Sequence, residues 1–218
     1  MHDILKFLSA LSANNNREWF DAHRAEYQLV KVRFEEYVST LIAEIAAIDP
    51  SIGIPVAKDC IFRIFRDVRF SANKQPYKTN FGAFIANGGR KSPRAGYYIH
   101  VEPGHSMIAG GIYMPQPDLL KKLRQEIYFN VPEFKAILND KDFKSTFGEL
   151  ATWDMLKRPP KDFPADFPDI ELLKYKSYSV AKGLDDNLIL SDKFNATVLH
   201  ACESMRSFNH FLNRSFEG

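Results

Sequence analysis

The chain has 218 residues, of which 45% are hydrophobic and 26% are charged, and its 29 basic and 27 acidic side chains leave a net charge of +2. This composition is typical of a globular protein with a sizeable core, and it excludes a wholly disordered chain. With two isolated cysteines, no signal-peptide core at the N-terminus and no apolar stretch of about 18 residues, we expect a reduced, cytoplasmic protein that binds no membrane.

The first part of the sequence predicts two helices. Apolar residues at helical spacing indicate a short helix over residues 3–12, which Asn14-Asn15-Asn16 interrupts. A long helix is expected over residues 16–48, because apolar side chains then recur every three or four positions. It should end at Asp49-Pro50, since proline disfavours the helical conformation in the residue before it.

The start of the long helix carries a recognisable pattern. Asn15 and Glu18 have the spacing of a capping box, so we expect Asn15 or Asn16 to cap the helix. Trp19 and Phe20 follow immediately and should pack against the sheet.

The middle of the chain alternates apolar and polar residues with the period of strands. Turn residues such as Gly88-Gly89 and Pro103-Gly104 separate the alternating segments. Because the connections are short, the strands should form an antiparallel meander. The expected strands cover residues 60–70, 80–86, 95–102 and 106–113.

The last part of the chain returns to helical spacing. The expected elements are helices from Leu119 and over residues 132–138, an irregular proline-rich loop over 156–171, a strand near 175–181 and a helix from 191 to about 212. Ser191 should cap that last helix. The order of elements predicts one α+β domain over residues 1–218, with the meander packed against the long N-terminal helix and the C-terminal helix.

The basic residues are concentrated in the predicted sheet. Residues 58–94 hold nine basic and two acidic side chains, a balance of +7, which leaves −5 for the rest of the chain. Because two acids cannot neutralise nine cations, and because arginine suits phosphate and carboxylate groups, we predict an anion site here. At least two of the cations should line one pocket. The candidate ligand-binding side chains are Arg63, Arg66, Arg69, Lys74, Tyr77 and Lys78.

Residues 66–80 of this region read Arg-Asp-Val-Arg-Phe-Ser-Ala-Asn-Lys-Gln-Pro-Tyr-Lys-Thr-Asn. This stretch resembles the signature R-D-x-R-F-S-x-D-K-x-P-Y-K of the family named domain of unknown function 2461. Further stretches that resemble the family lie at residues 14–20, 96–100, 110–111 and 156–161. The resemblance implies a single α+β domain and a polar site around the basic motif, and it carries over no activity.

Two positions depart from the family pattern. Asn73 stands where related chains commonly have aspartate, and Asp162 stands where they have glycine. A mechanism that needs a carboxylate at position 73 is therefore not expected in this chain.

Candidates for catalysis are few. Asp67, beside the arginines, is the one carboxylate that we nominate for acid–base catalysis, although the orientation of an arginine is the stronger interpretation. His100 and His105 bracket a turn and suggest no role. His200 and His210 lie about three turns apart on the last helix, without an acidic or cysteine partner in the sequence pattern. No metal and no cofactor are expected.

Three functions remain open. The first is a site for a small phosphorylated or carboxylated ligand, and we rank it highest. The second is a nucleic-acid-binding module, in which further cations and aromatic rings contribute. The third is an interaction scaffold, in which acids pair with the arginines. The additional residues of the nucleic-acid hypothesis are Lys157, Arg158, Lys174, Lys176, Tyr97 and Tyr98, together with Tyr77.

Overall fold

The computed structural model describes residues 1–217, and this part of the chain contains nine α-helices and a four-stranded sheet. The strands are β1 (Phe81–Ile85), β2 (Gly96–Val101), β3 (Ser106–Ile112) and β4 (Tyr178–Leu184). The helices are α1 (His2–Ala13), α2 (Arg17–Ala22), α3 (Arg24–Ile48), α4 (Ala57–Cys60), α5 (Pro117–Phe129), α6 (Val131–Leu138), α7 (Lys141–Phe147), α8 (Asp186–Ile189) and α9 (Phe194–Asn213). Within the described residues, no helix combines the length and the apolar character that crossing a bilayer requires.

The sheet is an antiparallel meander with the strand order β1-β2-β3-β4, which confirms the predicted α+β class. One row of paired residues runs across it from Ala83 through Ile99 and Ile108 to Lys182. The turn between β2 and β3 contains Gly104 with a φ of 75°, a conformation that glycine adopts without steric cost.

The long helices α3 and α9 pack on the same face of the sheet. Phe34 of α3 stacks on Phe81 of β1 with 5.2 Å between the ring centroids. On β3, a Cβ added to Gly110 would lie 2.1 Å from the sulfur of Met205 in α9, so only glycine permits this close approach. Phe81 and Gly110 belong to the same face of the sheet, because their partners in β2 are both odd-numbered residues of that strand. The buried side chains of this face and of the helices form one cluster.

The opposite face of the sheet is open. Its side chains come from Gly82, Phe84, Tyr98, His100, Met107, Ala109, Ser179, Ala181 and Gly183. All of these except Gly82 are half-buried or exposed. We call this surface the open face.

The predicted long helix is divided at His23, so the expectation of one continuous helix over residues 16–48 is wrong. The His23 ring stacks on Trp19 with 4.0 Å between centroids, and its Nδ1 lies 2.8 Å from the Trp19 carbonyl oxygen. The His23 side chain thus contacts the last turn of α2, and the His23 backbone lies outside the helical region. Asn16 caps α2 as predicted, because its side-chain oxygen accepts a hydrogen bond from the Trp19 N–H at 2.9 Å.

Residues 60–70 do not form the predicted strand. Cys60 ends the helical turn α4, and the residues after it make only two isolated bridges. The bridges join Ile61 to Ala83 and Phe65 to Tyr77. The two pairs do not share one register, so they do not belong to one continuous ladder. Phe70, at the end of the predicted strand, is 97% exposed.

The later part of the chain contains two short helices, α7 and α8, that the sequence pattern did not predict. The boundaries of β4 and α9 also differ from the predicted ones. Strand β4 begins at Tyr178, three residues after the expected start. Helix α9 begins at Phe194, and Ser191 does not cap it. The Ser191 hydroxyl instead donates to the Leu188 carbonyl at 2.8 Å, so it closes the end of α8.

Candidate functional site

The basic motif forms an irregular hairpin beside β1. The Arg66 N–H donates to the Pro76 carbonyl at 2.9 Å, and the Lys78 N–H donates to the Ile64 carbonyl at 2.8 Å. Residues 67–75 form the tip of this hairpin. Part of the basic motif therefore lies in the hydrogen-bonded arms of the hairpin, and the rest lies in its protruding loop.

The base of the hairpin is anchored by the N-terminal motif. Tyr77 is 5% exposed, and its ring stacks on Phe20 with 3.9 Å between centroids. Asn15 binds both backbone groups of Tyr77, donating to its carbonyl at 3.0 Å and accepting from its N–H at 3.2 Å. Asn15 thus acts as a tether and not as the predicted helix cap. Trp19 packs on Phe7 of α1, whereas the Phe20 ring packs on the hairpin at Tyr77.

Three of the predicted cations bind groups of their own loop. Arg69 pairs with Asp67 through two contacts, Nε to Oδ1 at 3.0 Å and Nη2 to Oδ2 at 2.7 Å. Lys74 donates to the Val68 carbonyl at 3.1 Å. Arg66 donates to the carbonyl of Gln75 and to the hydroxyl of Ser71, at 3.3 and 3.4 Å. These contacts hold the three side chains against their own loop, although the paired Arg69 side chain is still 76% exposed.

Asp67 behaves as the partner of an arginine. The hydrogen bonds from Arg69 lower the pKa of its carboxyl, and the charge of Arg63 adds to this effect. A carboxylate held ionised in this way is suited to orient Arg69 and is a weak proton donor.

Arg63 and Lys78 differ from the other cations of the motif. Within the described part of the chain, neither side chain makes a hydrogen bond or an ion pair. The Lys78 ammonium lies 5.5 Å from the centroid of the Phe62 ring. Burial lowers the pKa of Lys78, and the charge of Arg63 lowers it further, so the two cations act on each other. The prediction of a shared anion site now rests on this pair.

The sequence analysis missed a polar cluster on the adjacent open face. His100 Nε2 lies 2.9 Å from Glu102 Oε2, and His100 Nδ1 lies 2.9 Å from the Tyr98 hydroxyl and 3.3 Å from the Asn80 amide nitrogen. The Thr79 hydroxyl donates to the other oxygen of Glu102. The signal was the spacing, because Tyr98 and His100 lie two residues apart on one face of β2 and Glu102 follows two residues later, just after the strand.

The hydrogen bonds of His100 fit a neutral imidazole. Glu102 only accepts when ionised, so Nε2 carries the proton and Nδ1 accepts from Tyr98 and Asn80. Burial and the charge of Glu102 raise the pKa of Tyr98 to about 12, which keeps its hydroxyl protonated. Burial alone would raise the pKa of Glu102, but the hydrogen bonds from Thr79 and His100 hold it below its ordinary value.

Phe62 joins the cations to this cluster. Its ring lies edge-on to Tyr98 with 6.1 Å between centroids, while Lys78 lies over the same ring. A Cβ on Gly82 would lie 2.7 Å from the Tyr98 hydroxyl, so the glycine leaves the space that this ring occupies. We call the combined surface the open-face site. Its residues are Phe62, Arg63, Lys78, Thr79, Asn80, Tyr98, His100 and Glu102.

The cysteine and histidine side chains form no metal centre in the described residues, where no three of His, Cys, Asp and Glu are grouped for a metal ion. A cavity of about 690 Å³ lies elsewhere, between the end of α9, α6 and the turn after α3. It includes none of the six predicted ligand-binding residues.

The family model described as Conserved hypothetical protein (DUF2461) matches residues 3–211, which is nearly the whole chain. The chain therefore belongs to the DUF2461 family, and the resemblance read from its motifs is confirmed. No curated protein and no solved structure shows significant similarity to it.

Proposed function

We propose that this member of the DUF2461 family binds a small phosphorylated or carboxylated ligand at the open-face site. The observation that carries the proposal is the pair Arg63 and Lys78, two cations that act on each other and that, among the described residues, make no hydrogen bond or ion pair with an acid. Burying a charge beside a like charge costs free energy unless a counter-charge is present. An anionic group bound between the two side chains would remove that cost.

The polar cluster supports a ligand with further hydrogen-bonding groups. Tyr98 and His100 lie half-buried on the open face, and the floor beside them is made of the small residues Ala109, Ala181 and Gly183. A Cβ on Gly183 would contact nothing within 4 Å, so the floor has room above it. The anionic group would lie at the Arg63 end, and the rest of the ligand would lie over the floor.

Calorimetric titration with inorganic phosphate and with succinate tests the proposal. Arg63→Ala and Lys78→Ala should each weaken binding of the preferred anion about tenfold, because each removes one charge-assisted hydrogen bond. Lys91→Ala is the matched control, since Lys91 is an exposed cation in the turn between β1 and β2. Equal binding by all three variants, or no saturable binding by the unaltered protein, would contradict the proposal.

The nucleic-acid hypothesis is the second candidate. It loses two aromatic rings, because Tyr77 and Tyr97 are buried, while Lys174 pairs with Glu171 and Lys176 pairs with Asp154. One observation favours it. The exposed rings of Tyr113 and Trp153 lie 5.1 Å apart, and such a pair offers a stacking surface for bases.

We also propose a cytoplasmic location. The support is the cysteine content, because Cys60 and Cys202 are both buried and unpaired. Fractionation of the native host, followed by immunoblotting, would test this location, and recovery in an oxidising compartment would contradict it.

A further inference from the structure

We propose that the chain has a second ligand site, in the cavity beside α9, for a small molecule that carries both a carboxylate or phosphate group and a hydroxyl group. The cavity volume of about 690 Å³ lies within the range of small-molecule sites. The lining residues that the proposal uses are Ser51, Arg94, Glu133, His210 and Arg214. None of them belongs to the open-face site.

A buried carboxylate orients His210 in the wall of this cavity. Asp49 is 1% exposed, and its Oδ1 lies 2.8 Å from His210 Nε2. Its Oδ2 accepts a hydrogen bond from the buried Tyr97 hydroxyl at 2.6 Å, and the Ser51 hydroxyl donates to Oδ1 at 2.6 Å. Burial alone would raise the pKa of Asp49, but these hydrogen bonds together hold it below its ordinary value. The ionised Asp49 therefore keeps the proton of His210 on Nε2.

The other ring nitrogen of His210 is available to a ligand. No residue in the described part of the chain binds Nδ1, and 48% of the side chain is exposed. In the neutral form of the ring with its proton on Nε2, the lone pair of Nδ1 can accept a hydrogen bond from a hydroxyl group. This arrangement is the reason for assigning a hydroxyl to the ligand.

Arg94 is the reason for assigning an anionic group. Arg214, the other arginine of the cavity, pairs with Glu126 and Glu133. By contrast, the Arg94 guanidinium lies 4.9 Å over the Phe216 ring and has no acidic partner among the described residues.

The charges around the cavity are otherwise balanced or exposed. Glu133 is compensated by Arg214, and Asp49 is compensated by its hydrogen-bond donors. Glu217 lines the cavity but is exposed to solvent. Arg94 thus supplies the local charge that a carboxylate or phosphate would bind.

Proton NMR of the histidine Cε1–H signals tests the second site on the full chain. The probes are malate and glycerol 3-phosphate, which carry an anionic group and a hydroxyl, with succinate as the matched anion that lacks the hydroxyl. We expect at least one hydroxyl-bearing probe to shift the His210 signal saturably, and succinate to bind more weakly than that probe. The relative response to malate and glycerol 3-phosphate distinguishes a carboxylate from a phosphate ligand.

Two variants complete the experiment. Arg94→Ala should weaken the saturable shift of His210 about tenfold, while Lys91→Ala, an exposed cation nearby in sequence, should leave it unchanged. The His100 signal reports the open-face site in the same titration. No saturable shift of His210 by either hydroxyl-bearing probe, a shift of His100 without His210, an unchanged affinity in Arg94→Ala, or succinate binding as tight as the preferred hydroxyl-bearing probe would overturn the inference.

Discussion

Two histidine–carboxylate pairs of nearly equal geometry lie in different surroundings. His100 Nε2 approaches Glu102 at 2.9 Å on the open face, and His210 Nε2 approaches Asp49 at 2.8 Å beside the cavity. They differ at the second ring nitrogen. Nδ1 of His100 is bound by Tyr98, whereas Nδ1 of His210 has no partner among the described residues.

The difference shows that a histidine–carboxylate contact alone does not define a role. Both nitrogens of His100 are used by the protein, so we infer that it positions Tyr98 and Glu102 beside the cations. His210 is bound on one side only, so it can contact a ligand directly. The exposure of the two carboxylates follows the reverse order. Asp49, the partner of the more accessible histidine, is buried, whereas the Glu102 side chain is 25% exposed.

Removal of each carboxylate should separate the two pairs most clearly. Asp49→Ala should lower the free energy of unfolding by about 3 kcal/mol, because it leaves the buried Tyr97 hydroxyl without an acceptor and removes the cap of the following turn. Glu102→Ala should cost about 1 kcal/mol, since its partners can reach water. Urea denaturation of the two variants measures the difference. Equal losses would show that burial does not distinguish the pairs.

The two pairs also show which parts of the molecule the sequence reveals. The meander follows from strand period and turn residues. The same alternation places Tyr98 and His100 on one face, but the sequence analysis did not predict that they form a polar cluster with Glu102. The contact between Asp49 and His210 joins residues 161 positions apart, so no local pattern contains it. Spacing alone also cannot show that Arg69 binds Asp67 while Arg63 makes no ion pair with any described residue. An irregular hairpin, and not a regular strand, orients these side chains.

A chemical probe of the imidazoles should detect the difference at Nδ1. Diethyl pyrocarbonate modifies a neutral imidazole nitrogen that has a free lone pair. His210 should react several-fold faster than His100, and Tyr98→Phe should raise the rate at His100 by releasing its Nδ1 from the hydroxyl, a hydrogen bond of about 1 kcal/mol. Peptide mapping by mass spectrometry measures both rates in one sample. An unchanged rate at His100 would show that the bond to Tyr98 does not protect it.

Lys78 allows the charge of the open-face site to be tested through stability. Burial, with a contribution from Arg63, lowers the pKa of Lys78 below its ordinary value of 10.5. At neutral pH the folded state therefore bears the cost of a poorly solvated cation. Lys78→Met should stabilise the protein by about 0.5 kcal/mol, a small gain because water still screens this half-buried group.

The pH dependence of that gain has a definite sign. Between the lowered pKa of folded Lys78 and 10.5, the unfolded chain holds more protons than the folded one, so the stability of the unaltered protein rises with pH. The advantage of Lys78→Met should therefore shrink as the pH approaches 10.5. Thermal unfolding at neutral and alkaline pH measures it, with Lys91→Met as the exposed control. A gain that is the same at both pH values would have another cause.

The smallest effect expected is binding of nucleic acid. Each phosphate that a cation neutralises releases condensed counterions, so binding should weaken steeply with salt. Since Arg66, Arg69 and Lys74 are engaged within their loop, we expect weak, non-specific binding that disappears at roughly 0.15 M salt, where the Debye length is about 8 Å. Fluorescence anisotropy with single- and double-stranded oligonucleotides across a salt series measures this. Tight binding to single strands at that salt concentration, lost in Trp153→Ala, would place the aromatic pair at the centre of function and the nucleic-acid module ahead of the small anion.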